Sequence, residues 1–317
     1  MDKARHIDIL LFDDLNILDV AGPVQAFSSA NHAGPTRYHL RYVTLDGQGA
    51  RSSCGLQMMA DAALTPGQGQ DLLIPGGRGV DALLHQPALQ QHLRTWHDAG
   101  PDRRVMSICS GALLLADAGL LTGRPATTHW SRTAQVHSQF PDVDWRMDDL
   151  YRIKDRIMTS AGVTSGIDLA LEVIRRDHGA TVALAVAREL VVFLKRSGGQ
   201  NQFADMLAAQ FTPDTAVARL ITALQERPGD AWTLDRMADT AGLTTRTLVR
   251  RFSDQTGLSP VKFLERYRVK RACDGLSAGL PMGQCITVSG FRDFQQMQRA
   301  FKRQMGTTVG RYAARFG

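Results

Sequence analysis

The order of apolar and polar positions divides the chain into two unlike parts. His6 to Phe12, Tyr38 to Leu45, Asp71 to Ile74 and Arg104 to Ile108 are short, mostly apolar runs, the mark of strands buried on both faces. Helical periodicity fills the spaces between and after them. It predicts one helix from about Val80 to Ala99, another from Gly162 to Arg176 with Leu169, Val173 and Ile174 inward, and a third from Ala180 to Arg196. The last has apolar surface enough either for a contact between subunits or for packing on the sheet. Arg146 to Ser160 alternates as a hairpin does. Strands alternating with helices imply right-handed crossovers and a parallel sheet covered on both faces. Ligands of such sheets bind at the carboxyl ends of the strands.

Toward the carboxyl end the pattern is helical. Leu234, Met237, Ala238 and Ala241 share one face, Gly242 breaks the helix, Leu243 supplies a plug and Thr244-Thr245 an N-cap. Leu248 and Phe252 then point inward from a second helix, so the unit is a helix-turn-helix. Ser259-Pro260 opens a long connecting helix. A second copy follows, with a short helix over 283–288, a turn at Gly290-Phe291, and a helix from Arg292 to Met305 ending at Gly306. Phe252 and Phe301 hold matching places, followed by Gly257 and Gly306. Two such units joined by one helix can set both recognition helices in successive major grooves on one side of a duplex.

The outward face of the first recognition helix carries Arg246, Thr247 and Arg250. The two guanidiniums lie one turn apart, and each can pair with O6 and N7 of a guanine, while Thr247 can meet a thymine methyl or a phosphate. A solvated basic face is the plainer alternative for Arg246 by itself. Charge favours DNA. From residue 214 onward there are 17 Lys+Arg against 9 Asp+Glu, whereas the rest of the chain has 20 against 22. The excess of positive charge lies in the part that bears the repeat, as a polyanion partner requires.

A length of 317 residues allows two domains, each able to bury its own core. Cys54, Cys109, Cys273 and Cys285 are scattered without C-x-x-C spacing, so no zinc site, no disulfide framework and no other metal or cofactor is expected. The opening MDKARHIDILLFDD has no signal-peptide pattern, and no apolar stretch reaches the roughly 18 residues of a membrane span. A soluble, cytoplasmic protein without a membrane partner is expected.

Candidate chemistry falls where the strands end. Asp19 lies among apolar neighbours just before Gly22-Pro23, placed either to act or to cap a turn. In RVMSICSGALLLADAGLL, Cys109 stands on a sharp strand-to-helix turn with Ser110-Gly111 opening the helix. Such a turn exposes a nucleophile, and helix-start amides are expected to lower its thiol pKa, which would also make it a candidate oxidant sensor. Backbone amides at Gly76, Gly77 and Ser110 could hold an anion or a developing oxyanion. A buried structural thiol is the other reading of Cys109.

The elements ILDVAGP, LLIPGG, ICSGALLLADAGLLTGRPATTHW and AGVTSGIDLALEVI, covering roughly residues 5 to 195, resemble the ThiJ/PfpI, class I glutamine amidotransferase-like domain. That resemblance implies a flavodoxin-like, doubly wound parallel sheet, with Cys109 as the elbow cysteine and Asp19 the carboxylate beside its sulfur, as in isocyanide hydratases. The protease-like branch carries histidine directly after its cysteine, where this chain has Ser110. His129 is the nearest substitute base in sequence, or else a capping histidine. Without a base, amide hydrolysis at a useful rate is not expected.

Residues 215 to 317, with TTRTLVRRFSDQTGLSP, SGF, RAFKRQMG and RYAARF, resemble the AraC/XylS-type DNA-binding domain, all-α with two helix-turn-helix units. The resemblance makes Arg246, Thr247 and Arg250 base readers, with Gln295, Gln296 and Arg299 as counterparts in the second unit. Departures gather in the second unit. Val309 stands where proline is usual, Ile286 where a small residue is preferred, and Gly275, Gly279 and Gly283 weaken helix propensity. That unit is expected to hold phosphates more than it reads sequence.

The two halves in this order resemble the GlxA-type transcriptional regulators. Expected boundaries are a ligand-sensing domain over 1–200, a linker over 201–214 and the DNA-binding domain over 215–317. Expected partners are a duplex operator, a small-molecule effector, by resemblance a nitrogen-containing metabolite, a second copy of the chain, and RNA polymerase if the regulator activates. The alternative is a cysteine-dependent hydratase or amidase of the isocyanide hydratase type, using Cys109 and Asp19.

Overall fold

The four apolar runs are strands of one seven-stranded sheet in the computed structural model, which describes residues 4–32, 37–65, 69–192, 214–277, 279–305 and 307–316. The strands are β1 (Arg5–Leu10), β2 (Tyr38–Thr44), β3 (Ala62–Ala63), β4 (Asp71–Ile74), β5 (Arg104–Ile108), β6 (Tyr151–Lys154) and β7 (Ile157–Ser160). Their spatial order is β6-β7-β5-β4-β1-β2-β3. Neighbours are parallel except β6 and β7, which form the hairpin at one edge. Leu72, Leu73 and Ile74 project alternately to the two faces of β4, yet all are fully buried, so both faces are covered.

Helices α1 (Ile17–Ser29), α2 (Val80–Leu83), α3 (Pro87–Asp98), α4 (Gly111–Asp117), α5 (Thr133–Gln139) and α6 (Ser165–Glu189) complete this part. α1 packs against α6, and α4 against α2 and α3. The single helix expected from Val80 to Ala99 is two. Leu84 is extended, His85 has a φ of 62°, and Pro87, which cannot donate to a preceding turn, starts α3 instead. The break expected between residues 176 and 180 is a single non-helical residue inside α6, Gly179, with a φ of 84°.

The second part holds α7 (Thr215–Glu226), α8 (Leu234–Ala241), α9 (Thr245–Thr256), α10 (Pro260–Ser277), α11 (Met282–Ser289), α12 (Phe294–Met305) and α13 (Val309–Phe316). The chain separates into two units, Met1–Leu194 and Lys195–Gly317. The proposed linker, except Asp214, the end of the helix placed over 180–196, and Gly306 lie outside the described residues.

The turn chemistry of the second unit matches its sequence. The Thr233 hydroxyl accepts from Arg236 N–H, that of Thr244 from Thr247 N–H, and Gly242 closes α8 in the left-handed region at a φ of 68°. Two separate cores result. Leu248 and Phe252 lie in one with Phe263 and Leu264, while Val269, Cys273, Met297 and Phe301 lie in the other. α10 supplies residues to both. Val309 is fully buried, and its N–H donates to Gln298 Oε1 at 3.2 Å, a bond the more usual proline could not make. No helix among the described residues is long and apolar enough to cross a membrane.

Near the amino ends of the central strands lies a buried ionic cluster. Arg104 makes paired bonds to Asp71 and to Asp177, Arg5 adds a second guanidinium to Asp71, and Tyr38 donates to Asp177 at 2.9 Å. Asp71 is wholly buried, so removing a partner leaves charge without water. Burial by itself would raise the pKa of Asp177, but Arg104, helped by Tyr38, outweighs it and holds the carboxyl below its usual 3.8. Arg104→Ala is expected to cost about 3 kcal/mol in urea unfolding at neutral pH. The part due to Asp177 is present above its unfolded pKa near 3.8 and disappears as pH falls through the lower folded value, so the gap should narrow below about pH 4. A gap under about 1 kcal/mol at pH 7 would make the cluster an incidental surface pairing.

Candidate functional site

β5 ends at Ile108, and the next residue turns sharply. Cys109 has a φ of 56°, and Ser110 leads into α4. A non-glycine residue in that region carries strain, so surrounding contacts must hold it. Cys109 N–H donates to Ser160 O at 3.0 Å, and Thr128 Oγ1 donates to Cys109 O at 2.7 Å. Glycines make room. A Cβ on Gly162, whose φ is 98°, would lie 2.2 Å from that of Cys109, and one on Gly76 would lie 2.6 Å from it.

Asp19, fully buried near the start of α1, faces this turn. Its Oδ2 accepts Gly76 N–H at 3.0 Å, its Oδ1 accepts Val163 N–H at 2.7 Å, and its carboxyl is hydrogen-bonded to the Cys109 side chain. Burial raises the pKa of Asp19 against the opposing pull of those two amides. Burial, then the neighbouring Asp19 charge, pushes the Cys109 thiol well above its ordinary value. The helix-start amide of Ser110 acts in the expected direction but is the smaller effect. Cys109 is therefore neither the exposed nucleophile nor the low-pKa thiol that its turn suggested. It is 8% exposed, and the raised pKa leaves little thiolate at neutral pH.

The expected anion cradle is also filled from within. Gly76 N–H is taken by Asp19, and Gly77 N–H donates to Ser110 Oγ at 3.0 Å, while that hydroxyl donates to Gly77 O at 3.1 Å. Ser110 N–H points to the cysteine sulfur. His129 caps the short 3-10 turn Trp130–Arg132, with Nδ1 accepting from Ser131 N–H at 3.3 Å. Burial first, then Arg132, lowers its pKa, which keeps the ring neutral at pH 7, and Nδ1 also lies 2.7 Å from Ser131 Oγ.

A cavity of about 340 Å³ opens in front of the turn. Cys109, Ser110, Gly77 and His129 line it as expected, whereas Gly76 and Asp19 are not among its lining residues. Sequence reasoning missed Asn16, Ser53, Arg78, Ser131 and Arg132 there. Two of them had a signal in the chain, since Arg78 directly follows the Pro75-Gly76-Gly77 turn and Arg132 follows His129 by one turn. Arg132 is paired with Asp81 at 2.8 Å. Arg78 is exposed and its guanidinium makes no hydrogen bond or ion pair among the described residues, so the lining carries one uncompensated positive charge.

In the second unit α9 buries Leu248 and Phe252 and turns Arg246 and Arg250 outward, both exposed and neither paired among the described residues. Arg251 is spent on Asp214 at 3.5 Å. Thr247 is half-buried and accepts from Thr244 Oγ1 at 2.9 Å, so it takes part in the cap. On α12, Gln295 and Arg299 are exposed. Gln296 instead closes the helix start: its N–H donates to Asp293 Oδ1 at 2.7 Å, and its Oε1 accepts Arg292 N–H at 2.9 Å.

Comparison with known proteins agrees with this division. The DJ-1/PfpI family model matches residues 5–176, and a helix-turn-helix domain model matches residues 237–315. The HTH-type transcriptional regulator GbdR of Pseudomonas aeruginosa is 27% identical over 311 residues, 95% of this chain and 82% of that protein. The isonitrile hydratase of Pseudomonas putida is 32% identical over 194 residues, 59% of this chain and 78% of that enzyme. The crystal structure of Drosophila melanogaster DJ-1beta covers 60% of this chain and all of its own at 18% identity, with a TM-score of 0.53, a likeness of fold.

Of Cys109 and Cys54, the residue after the lining Ser53, the exposed one is the more acidic. The Ser52 hydroxyl, then Leu56 N–H, lowers the pKa of Cys54. At pH 8 iodoacetamide should label Cys54 on the order of 100-fold faster than Cys109, since each pKa unit changes the thiolate fraction about tenfold. Asp19→Asn removes the charge but not the burial and should narrow that gap by raising the Cys109 rate. Equal rates in the wild type, read by peptide mass spectrometry, would contradict the buried, neutral thiol.

Proposed function

Because the chain belongs to the DJ-1/PfpI family and carries an AraC-type helix-turn-helix domain after the sheet, we propose that it is a sequence-specific, DNA-binding transcriptional regulator governed by a small molecule. The observation that carries this reading is the division of α9. One face supplies a core, while the other holds two unpaired guanidiniums a turn apart. A helix so arranged fits the major groove, and Arg246 and Arg250 are its base readers. In the second unit Arg299 and Gln295 face outward, while Gln296 stiffens the helix start, consistent with a larger share of backbone contact there.

The effector binds in the cavity before Cys109. Its lining has hydroxyls, an amide, a neutral histidine and the unpaired Arg78 guanidinium, which suits a small ligand bearing one anionic group. The protein acts as a dimer, and the effector changes transcription by binding one dimer arrangement better than another, since a ligand of equal affinity for both shifts nothing. RNA polymerase is a further partner where the outcome is activation.

The likeness to isonitrile hydratase, together with the Asp19–Cys109 contact, leaves hydration of an isonitrile as a second reading. It would be established by formamide formation that is lost in Cys109→Ser. The raised pKa of the Cys109 thiol and the engagement of His129 Nδ1 with Ser131 favour the binding role.

Arg246→Ala should weaken binding to a selected operator by roughly 1 to 3 kcal/mol, about 5- to 150-fold, and binding to random duplex hardly at all. Gel-shift titrations at one salt concentration decide it, and equal losses on both duplexes defeat base reading. In a thermal-shift screen of small carboxylates and phosphates, any compound that stabilises the wild type should lose that effect in Arg78→Glu. Stabilisation that survives the change would move the effector away from this cavity.

A further inference from the structure

The two helix-turn-helix units have separate cores, so α10 by itself would leave them free to flex about one helix. A second connection prevents this. The loop between α7 and α8, Arg227 to Asp230, packs against the turn that ends α11. A Cβ on Gly290 would lie 2.6 Å from both Gly229 N and Pro228 C, and Gly290 has a φ of 80°, so two backbones meet there where no side chain fits. Pro228 and Gly290 are both buried.

Arg268 closes the joint from the middle of α10. Its Nε donates to Pro228 O at 2.8 Å, and its Nη2 to Pro228 O and, at 3.2 Å, to Asp230 O. One turn away Arg271 Nε donates to Val288 O at 2.6 Å, fixing the carboxyl end of α11, and Tyr267 bridges to Gln225 O at 3.3 Å. The loop is braced from its own side as well, since Arg236 pairs with Asp230 at 2.6 Å and Trp232 Nε1 donates to Arg227 O at 2.8 Å. A half-buried guanidinium bound to carbonyls on a loop is not a DNA contact, although its charge would suggest one in the sequence.

We infer that Gly290 and Arg268 are positioning residues that lock the two helix-turn-helix units into one body, so that the protein accepts a single spacing between the two boxes of its operator. This rests on the reading that both α9 and α12 face DNA. α9 and α12 are each packed into one of the two joined cores, so fixing the joint fixes their separation and phase. One base pair inserted between the boxes turns the second box by about 35° around the duplex, and a rigid body must then give up contacts on one of them.

The test uses the full chain and a pool of duplexes with a random central region, selected by binding and sequenced. The wild type should enrich two boxes at one spacing, and a one-base-pair insertion in the winning duplex should weaken its binding on the order of tenfold or more. Arg268→Ala should enrich the same boxes over several spacings, with the insertion costing less than about threefold. Arg268→Lys, which keeps a cationic donor nitrogen, should restore most of the preference. Gly290→Ala should act as Arg268→Ala does. If it fails to fold, as circular dichroism would show, Arg268→Ala decides the matter. The inference is overturned if folded Arg268→Ala keeps one sharp spacing, or if the wild type enriches one box only. A wild type that enriches no motif sinks the DNA reading itself, and the inference with it, which separates the two failures.

Discussion

One buried carboxylate organises the sheet domain's site. Asp19 takes amide protons from Gly76, after β4, and from Val163, after β7, and meets the sulfur of Cys109 after β5. Three loops at the carboxyl ends of neighbouring strands are thus tied to the start of α1 by hydrogen bonds to one charge-bearing group, each stronger than a neutral bond. The tie explains the glycines. Backbones drawn this close to Cys109 leave no volume for a Cβ at residue 76 or 162. It also explains why the turn can hold a cysteine at a φ of 56°, since the bonds around it fix the conformation.

The same tie determines what the cysteine does. A carboxylate beside a largely buried thiol makes the thiolate expensive, and a single helix-start amide does not repay that cost. The amides that a hydrolase would aim at an oxyanion are here directed at Asp19 and Ser110. What remains open to a ligand is the front of the cavity, where Arg78 has charge to spare and His129 is a neutral ring. A site of this kind has its carboxylate and its loop amides satisfied from within and its free charge at the cavity mouth. That follows from the destinations of its hydrogen bonds and needs no argument from the fold.

Much of this was legible in the chain. Strand runs, the elbow at Cys109, the helix-turn-helix repeat and the outward Arg246 and Arg250 follow from periodicity and turn residues, which act over a few positions. What the chain concealed depends on partners far away in sequence. The lining residues Asn16 and Ser53 reach Cys109 only through the sheet's topology, and Gly76 N–H has Asp19 as its acceptor from 57 positions away. The thiol's direction of shift was misread for the same reason, because a local rule about helix starts was set against a burial that only the fold provides. The helix expected over 80–99 failed locally. Pro87 was visible, and its consequence for the preceding residues outweighed the apolar period.

The basic excess of the carboxyl-terminal part also divides once partners are known. Arg268 and Arg271 are spent on carbonyls, Arg251 on Asp214, Arg236 on Asp230 and Arg303 on Glu265, so these charges brace the fold. Arg246 and Arg250 have no such partner among the described residues. Net charge draws a polyanion to the domain but does not tell one base from another. Discrimination needs guanidiniums whose donors are still free when they enter the groove, on a helix that cannot yield. The buried Leu248 and Phe252, the Thr244 cap and the braced loop all serve that second condition, and the arginines that the fold leaves unpaired meet the first.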